Sequence, residues 1–215
     1  MDGFDGRLRF VTGLPRSGKT SFTLSRMARD DGRPYTFVCT GPSNPSVVAM
    51  PWVPDTDEGL QMVWDNPKGI TDDKGVFHAS FSIRCLHANP QLFEVLENPN
   101  RTYCLDEVGN ICSTYELKES LKKWAREVGW KNGGLDAWAT SQRPTADVPP
   151  GVYVAAREIY WVGPCKSNTV AKVLYEHRTA DWTEEEFSLK LATLQKFDFK
   201  LPNMWPKSVL QIKDA

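Results

Sequence analysis

Residues 13–20 read GLPRSGKT (Gly13-Leu-Pro-Arg-Ser-Gly18-Lys19-Thr20), and the reading of this stretch decides the fold. The spacing is G-x-x-x-x-G-K-[ST], which alone describes a glycine-rich turn. Its flanks give it meaning. Residues 8–12 (LRFVT) have the make-up of a short strand, and residues 20–29 place Leu24, Met27 and Ala28 on one helical face. A strand that curls through glycines into a helix aims backbone N–H groups and the positive end of the helix dipole at one point, where a phosphate binds. Lys19 can then reach the β- and γ-phosphates, and the Thr20 hydroxyl can ligate Mg²⁺. Gly13, Leu14, Pro15, Arg16, Ser17, Gly18, Lys19, Thr20 and Ser21 are the expected contacts to ATP, with Mg²⁺ on Thr20. Pro15 and Arg16 occupy neither glycine position.

Outward from this loop, the pattern alternates. Residues 35–40 (YTFVCT) form a β-branched and aromatic run. Residues 41–75 are rich in Pro, Gly, Asp and Asn, with a helix-like stretch at 58–64. Residues 77–85 suit a third strand and 90–97 a short helix. Residues 102–105 (TYCL) are a short apolar strand. Ser113-Thr-Tyr-Glu116 has the spacing of a capping box, and Leu117, Leu121, Trp124 and Val128 follow at helical intervals. Gly133-Gly134 predicts a turn before a strand at 135–140 (LDAWAT). Residues 158–162 (EIYWV) predict another strand, and 168–177 fit a strand or a helix. Thr183 with Glu186 makes a second capping box, opening a helix with Phe187, Leu191 and Leu194 on one side. Alternation of this kind predicts an α/β fold, a three-layer P-loop NTPase of the RecA-like, additional-strand type, its mostly parallel sheet flanked by helices. Residues 1–200 read as one ATPase domain and 201–215 as a C-terminal arm, with Trp205 and Leu210 as candidates for docking on another protein.

Two further signals sit at strand ends. The strand at 102–105 runs into Asp106-Glu107. A strand ending in two acids is common, but after the phosphate loop the pair suits a Mg²⁺-site carboxylate, Asp106, followed by a base, Glu107, that polarises water for attack on the γ-phosphate. The strand at 135–140 runs into Ser141-Gln142-Arg143-Pro144. An amide both donates and accepts, so Gln142 can touch the γ-phosphate and report hydrolysis. The plain alternative is a turn glutamine before Pro144.

Composition narrows the classes. The chain has 215 residues, 40% hydrophobic and 25% charged, with a formal net charge of −1, so no bulk attraction to nucleic acid or membrane is visible. Cys39, Cys85, Cys104, Cys112 and Cys165 are odd in number and contain no CxxC, which argues against a disulfide framework or a zinc site. His78, His87 and His177 are scattered. There is no signal-like start and no apolar run of membrane-spanning length.

One resemblance follows from Trp124-Ala-Arg126-Glu-Val-Gly129, a short insertion, and Trp138-Ala-Thr-Ser-Gln142-Arg143-Pro144. Over residues 8–163 the chain resembles the FtsK–HerA superfamily of DNA-translocating ATPases, whose members carry an Arg-x-x-Gly helix end, a strand and then Thr-Gln-Arg-Pro. Its compact size resembles the genome-packaging ATPases of tailless, internal-membrane, double-jelly-roll viruses and bacteriophages. The resemblance implies a homo-oligomeric ring, expected as a hexamer, that threads double-stranded DNA into a preformed capsid. Capsid or portal-vertex proteins would be partners, in host cytoplasm or virion, with no membrane span of its own. It also implies an arginine supplied by a neighbouring subunit, Arg126 by motif position and Arg143 as the alternative. Ser141 between Thr140 and Gln142, and the insertion at 130–134, depart from the pattern. Lys122, Lys123 and Lys131 are candidate DNA contacts or a solvated helix face.

Rival readings each lack something. A filamentous-phage assembly ATPase of the zonula occludens toxin type would carry a transmembrane helix. A small P-loop kinase would need an arginine-rich lid, and a GTPase an Asn-Lys-x-Asp motif. A non-enzymatic binding module has no use for the whole set of Lys19, Thr20, Asp106 and Glu107.

Overall fold

The computed structural model describes residues 7–30, 35–39, 78–82, 102–111, 114–130, 136–144, 148–198, 200 and 204–214. The expected helices at 58–64 and 90–97, the turn at 133–134 and Lys131 lie outside these.

The chain order is β1 (Arg7–Thr12), α1 (Lys19–Asp30), β2 (Tyr35–Cys39), β3 (His78–Ser82), β4 (Thr102–Leu105), α2 (Val108–Ile111), α3 (Tyr115–Trp130), β5 (Asp136–Ser141), α4 (Pro150–Ala155), β6 (Glu158–Val162), α5 (Asn168–Tyr175), α6 (Glu184–Thr193), α7 (Trp205–Ser208) and β7 (Val209–Lys213). The strands form one seven-stranded sheet in the order β3-β2-β4-β5-β1-β6-β7. All neighbours are parallel except β6 and β7. β5 therefore lies between β1, which leads into the phosphate loop, and β4, which ends in the acidic pair.

Alternation along the strands sends side chains to two cores. Leu8, Phe10, Tyr103, Leu105, Ala137, Ala139 and Trp161 face a core closed by α3, α4, α5 and α6. Val11, Cys104, Trp138, Tyr160 and Val162 face the other side, where Phe22 and Met27 of α1 meet Phe197 and Val209. The expected stripe of α3 holds: Leu117, Leu121, Trp124 and Val128 are all buried. On the α1 side Arg9 forms a buried link across three strands. Its guanidinium donates to Asp136 of β5 at 2.5 Å and to Glu158 of β6 at 3.1 Å, and lies over the Trp138 ring. Tyr160 donates to the same Glu158. Cys104 and Cys165 are buried and form no disulfide.

Several local expectations change. The cap of α3 is Thr114, whose Oγ1 accepts the N–H of Leu117 at 3.2 Å, one residue later than the Ser113 box; Thr114 is itself a good cap, and its use puts Glu116 in the first turn. The Thr183–Glu186 box forms as expected, with both reciprocal bonds. Residues 168–175 are helix. Pro150–Ala155 is a helix opened by proline in its first turn, where proline's missing N–H is not needed. Of the stretch expected as an arm, residues 204–214 are described. Val209–Lys213 closes the sheet as an antiparallel edge strand, with a register shift at Ile159/Tyr160. Trp205 packs 4.7 Å from the Phe22 ring with Arg26 over its face, and Leu210 packs against the larger core; both are half-buried. No helix among the described residues is long and apolar enough to cross a membrane.

Candidate active site

Residues 13–18 join β1 to α1 as a compact loop. Ser17 N–H donates to the Leu14 carbonyl at 3.2 Å, and the first helical bond runs from Phe22 N–H to the Gly18 carbonyl at 2.8 Å. Both glycines are pressed by backbone. A Cβ at Gly13 would lie 2.3 Å from the Val162 carbonyl oxygen, and one at Gly18 2.6 Å from the Phe197 carbonyl oxygen, with Gly18 at φ 97°. Leu14, Pro15 and Arg16 form the exposed tip, and Arg16 holds a left-handed φ of 62°. Such a backbone costs a non-glycine residue roughly 1–3 kcal/mol and recurs at binding loops. Lys19 is buried, with Nζ 3.1 Å from the Leu14 carbonyl and 3.7 Å from Glu107 Oε1. Burial lowers its pKa, and the nearby Glu107 and Asp106 carboxylates oppose that shift.

The acidic pair stands at the end of β4. Asp106 is 3% exposed. Thr140 Oγ1 donates to its Oδ1 at 2.7 Å, and Thr20 Oγ1 donates to the same oxygen at 3.2 Å. Burial pushes the Asp106 carboxyl up to about 6; the Thr140 bond pulls the other way and Glu107 adds to the rise. Glu107 has a left-handed φ of 59°. Its N–H donates to Thr140 Oγ1 at 2.9 Å. Its carboxylate accepts the Gln142 side-chain amide at 2.8 Å and the Gln142 backbone N–H at 3.1 Å.

The structure brings Lys19, Thr20, Glu107 and Gln142 to one cleft of about 810 Å³, with Arg16, Gly18 and Ser21 on its lining; Asp106 stands behind it, bonded to Thr20. Gln142 meets Glu107 there. Arg126 is not brought to it. Helix α3 starts beyond the end of β4 and leads back to β5, whose first residue pairs with Arg7 and Thr102 at the strand starts. Arg126 is exposed, late in α3, away from the start of that helix beyond β4 and its acidic pair. Arg143 is exposed beside Gln142. Lys122 is paired with Glu119 at 2.5 Å, and Lys123 is exposed.

Two residues of the site escape sequence reading. Thr140 is fully buried and ties Asp106 to the Glu107 backbone through one hydroxyl. Its place next to Ser141-Gln142 was the only hint. Gly163, at φ 83°, ends β6 so close to the loop that a Cβ would meet the Ser17 Cβ at 2.7 Å; nothing in its local sequence marks that approach. Thr140→Val is expected to lose about 1–3 kcal/mol of stability, since it leaves the Glu107 N–H and a buried carboxylate short of a partner. Urea denaturation checks this.

The site fits a nucleotide triphosphate with Mg²⁺. Ser17 Oγ is buried with no hydrogen-bond partner, at a loop whose glycines leave backbone N–H groups free to turn inward. Thr20 and Asp106 offer hard oxygen ligands suited to Mg²⁺, and a cation there would offset the burial of Asp106.

These features define a P-loop NTPase fold, α/β and RecA-like, with β5 inserted between the loop strand and the acidic strand. No protein-family model matches the chain, and no curated protein does. Solved structures do match over the full length. The DNA-packaging ATPase B204 from Sulfolobus turreted icosahedral virus is 13% identical, with 99% of each chain covered and a TM-score of 0.61. The genome packaging NTPase B204 from Sulfolobus turreted icosahedral virus 2, in complex with AMP, is 16% identical, with 100% of each chain covered and a TM-score of 0.56. The same protein with ATP-gammaS is 14% identical, covering 100% of this chain and 99% of that one, at a TM-score of 0.57. At these identities the likeness is one of fold.

Proposed function

We propose that this chain is an ATP-hydrolysing motor that moves double-stranded DNA into a preformed viral capsid, working as a homo-oligomeric ring. The observation that carries the reading is the join between Gln142 and Glu107 at the cleft. A strand between β1 and β4 ends in an amide held on the catalytic-base candidate, so any change at Glu107 reaches β5 and the Arg143-Pro144 turn beyond it. Tyr153 of α4 donates to the Pro144 carbonyl at 2.6 Å, which extends that path onto α4. The full-length likeness in fold to structures described as genome-packaging NTPases supports the same reading.

In this mechanism the loop N–H groups and Lys19 bind the phosphates. Thr20 and Asp106 hold Mg²⁺, which when bound supplies positive charge to the phosphate oxygens. Glu107 orients the attacking water and takes its proton. Gln142 sits where it can leave Glu107 for the γ-phosphate end. The expected hexamer, the capsid or portal-vertex contact, and a place in the host cytoplasm or virion belong to this proposal.

The test is ATP turnover against protein concentration, with and without double-stranded DNA. Turnover per subunit that climbs with assembly and again with DNA is expected. Turnover indifferent to both would replace the motor with a monomeric P-loop kinase or hydrolase.

A further inference from the structure

The cleft, of about 810 Å³, is lined by more than the phosphate loop, Glu107 and Gln142. Gln195, Lys196, Phe197, Asp198, Lys200 and Met204 supply a second wall. These residues follow α6 and lie far along the chain from the other chemistry.

The wall is built against the loop. Phe197 N–H donates to the Ser17 carbonyl at 3.0 Å, so the segment bonds directly to the phosphate loop. The Phe197 carbonyl and Cβ press on Gly18, and its ring packs 5.6 Å from Phe22 of α1. The far side is tied too: Gln195 N–H donates to the Lys207 carbonyl at 2.8 Å, and Ser208 Oγ donates to the Lys196 carbonyl at 3.4 Å. A segment held at both sides presents a fixed surface. That surface carries an apolar contact, Met204, a carboxylate, Asp198, and two cations, Lys196 and Lys200. One oxygen of Asp198 accepts the Lys200 N–H at 2.9 Å. This bond orients the carboxylate and leaves its second oxygen to accept from a ligand.

We propose that this wall is the nucleoside subsite: Asp198 accepts a ribose hydroxyl, and Met204 lies against the base. The inference rests on the phosphate-loop reading, because the loop sets which end of the triphosphate points at Glu107 and so which end reaches Asp198. A carboxylate that accepts a ribose hydroxyl gives a hydrogen bond to a charged group, the stronger kind. Nucleotide choice at this site is then made by a segment that leaves the hydrolytic chemistry untouched.

The experiment is equilibrium binding to the full chain with Mg²⁺, using ATP, 2′,3′-dideoxy-ATP and inorganic tripolyphosphate, for the natural sequence, Asp198→Asn and Met204→Ala. The natural protein is expected to bind ATP about tenfold or more tighter than the dideoxy nucleotide. Asp198→Asn should largely erase that preference and Met204→Ala should weaken both nucleotides, while tripolyphosphate binds all three proteins alike. Tripolyphosphate bound with an unchanged ATP preference in Asp198→Asn would overturn the subsite and leave the phosphate loop standing. No binding of tripolyphosphate or ATP by the natural protein would overturn the phosphate-loop reading and the subsite with it. Asp198→Ala, compared by its melting temperature, separates a lost contact from a lost fold: a melting point kept with the ATP preference erased supports the subsite, and one kept with the preference intact overturns it.

Discussion

Glu107→Gln is expected to slow ATP hydrolysis by about 10²- to 10⁴-fold, the range lost with a positioned general base, while nucleotide binding stays within a few-fold. Glu107 takes no part in the loop that cradles the phosphates, and a glutamine keeps its size. The glutamine carbonyl can still accept the Gln142 amide that reaches Oε1 at 2.8 Å. The proton-accepting oxygen is what disappears. The left-handed backbone at φ 59° is common to both residues, and besides the base only the Gln142 backbone N–H, at 3.1 Å from the second oxygen, loses its acceptor. Steady-state turnover alongside fluorescent-nucleotide binding reads the two effects separately. Turnover and binding lost in parallel would make Glu107 a structural residue, and unchanged turnover would remove it from the chemistry.

Arg126→Ala is expected to cost more, about 10³- to 10⁵-fold in turnover, the worth of an arginine finger at a transferring phosphoryl group. The case rests on position. Arg126 is exposed on α3 and does not line the cleft that Lys19, Glu107 and Gln142 share, so in the proposed ring it would act on the nucleotide of another subunit. The decisive form of the test mixes two dead variants. In a mixture of Arg126→Ala and Glu107→Gln, some contacts join an intact Glu107 to an intact Arg126, and activity should return. No recovery, or full activity in Arg126→Ala alone, would sink the role. Arg143→Ala is the comparison, because Arg143 lies next to Gln142 in the same subunit.

Local signals were legible wherever a short stretch carried its own physics. The loop at 13–20 announces itself because its glycines, its lysine and its flanking strand and helix are contiguous. The α3 stripe and the Thr183 box are likewise set by spacing within a few turns. What could not be read was what the chain brings together over distance. Phe197 meets Ser17 across most of the sequence, and Gly163 is needed only because β6 ends beside the loop. The edge strand β7 hid because Val209–Lys213 alternates imperfectly, with buried residues only at Val209 and Ile212. Thr140 shows the limit most clearly. As a β-branched residue it reads as a plain strand former, yet its hydroxyl bonds both Asp106 and the Glu107 backbone.

The separate placement of cleft and Arg126 also bears on symmetry. A contact that brings the arginine of one subunit to the cleft of the next joins two unlike patches, so the same pair cannot satisfy each other reciprocally about a dyad. Such heterologous association is directional, and each added subunit offers a fresh unused end. It stops growing only when the rotation between neighbours returns to its start; otherwise it continues as a helical filament. In the proposed ring the angle between these two patches would govern closure, and a substitution that tilts α3 is expected to show first in electron microscopy, as open spirals or fibres.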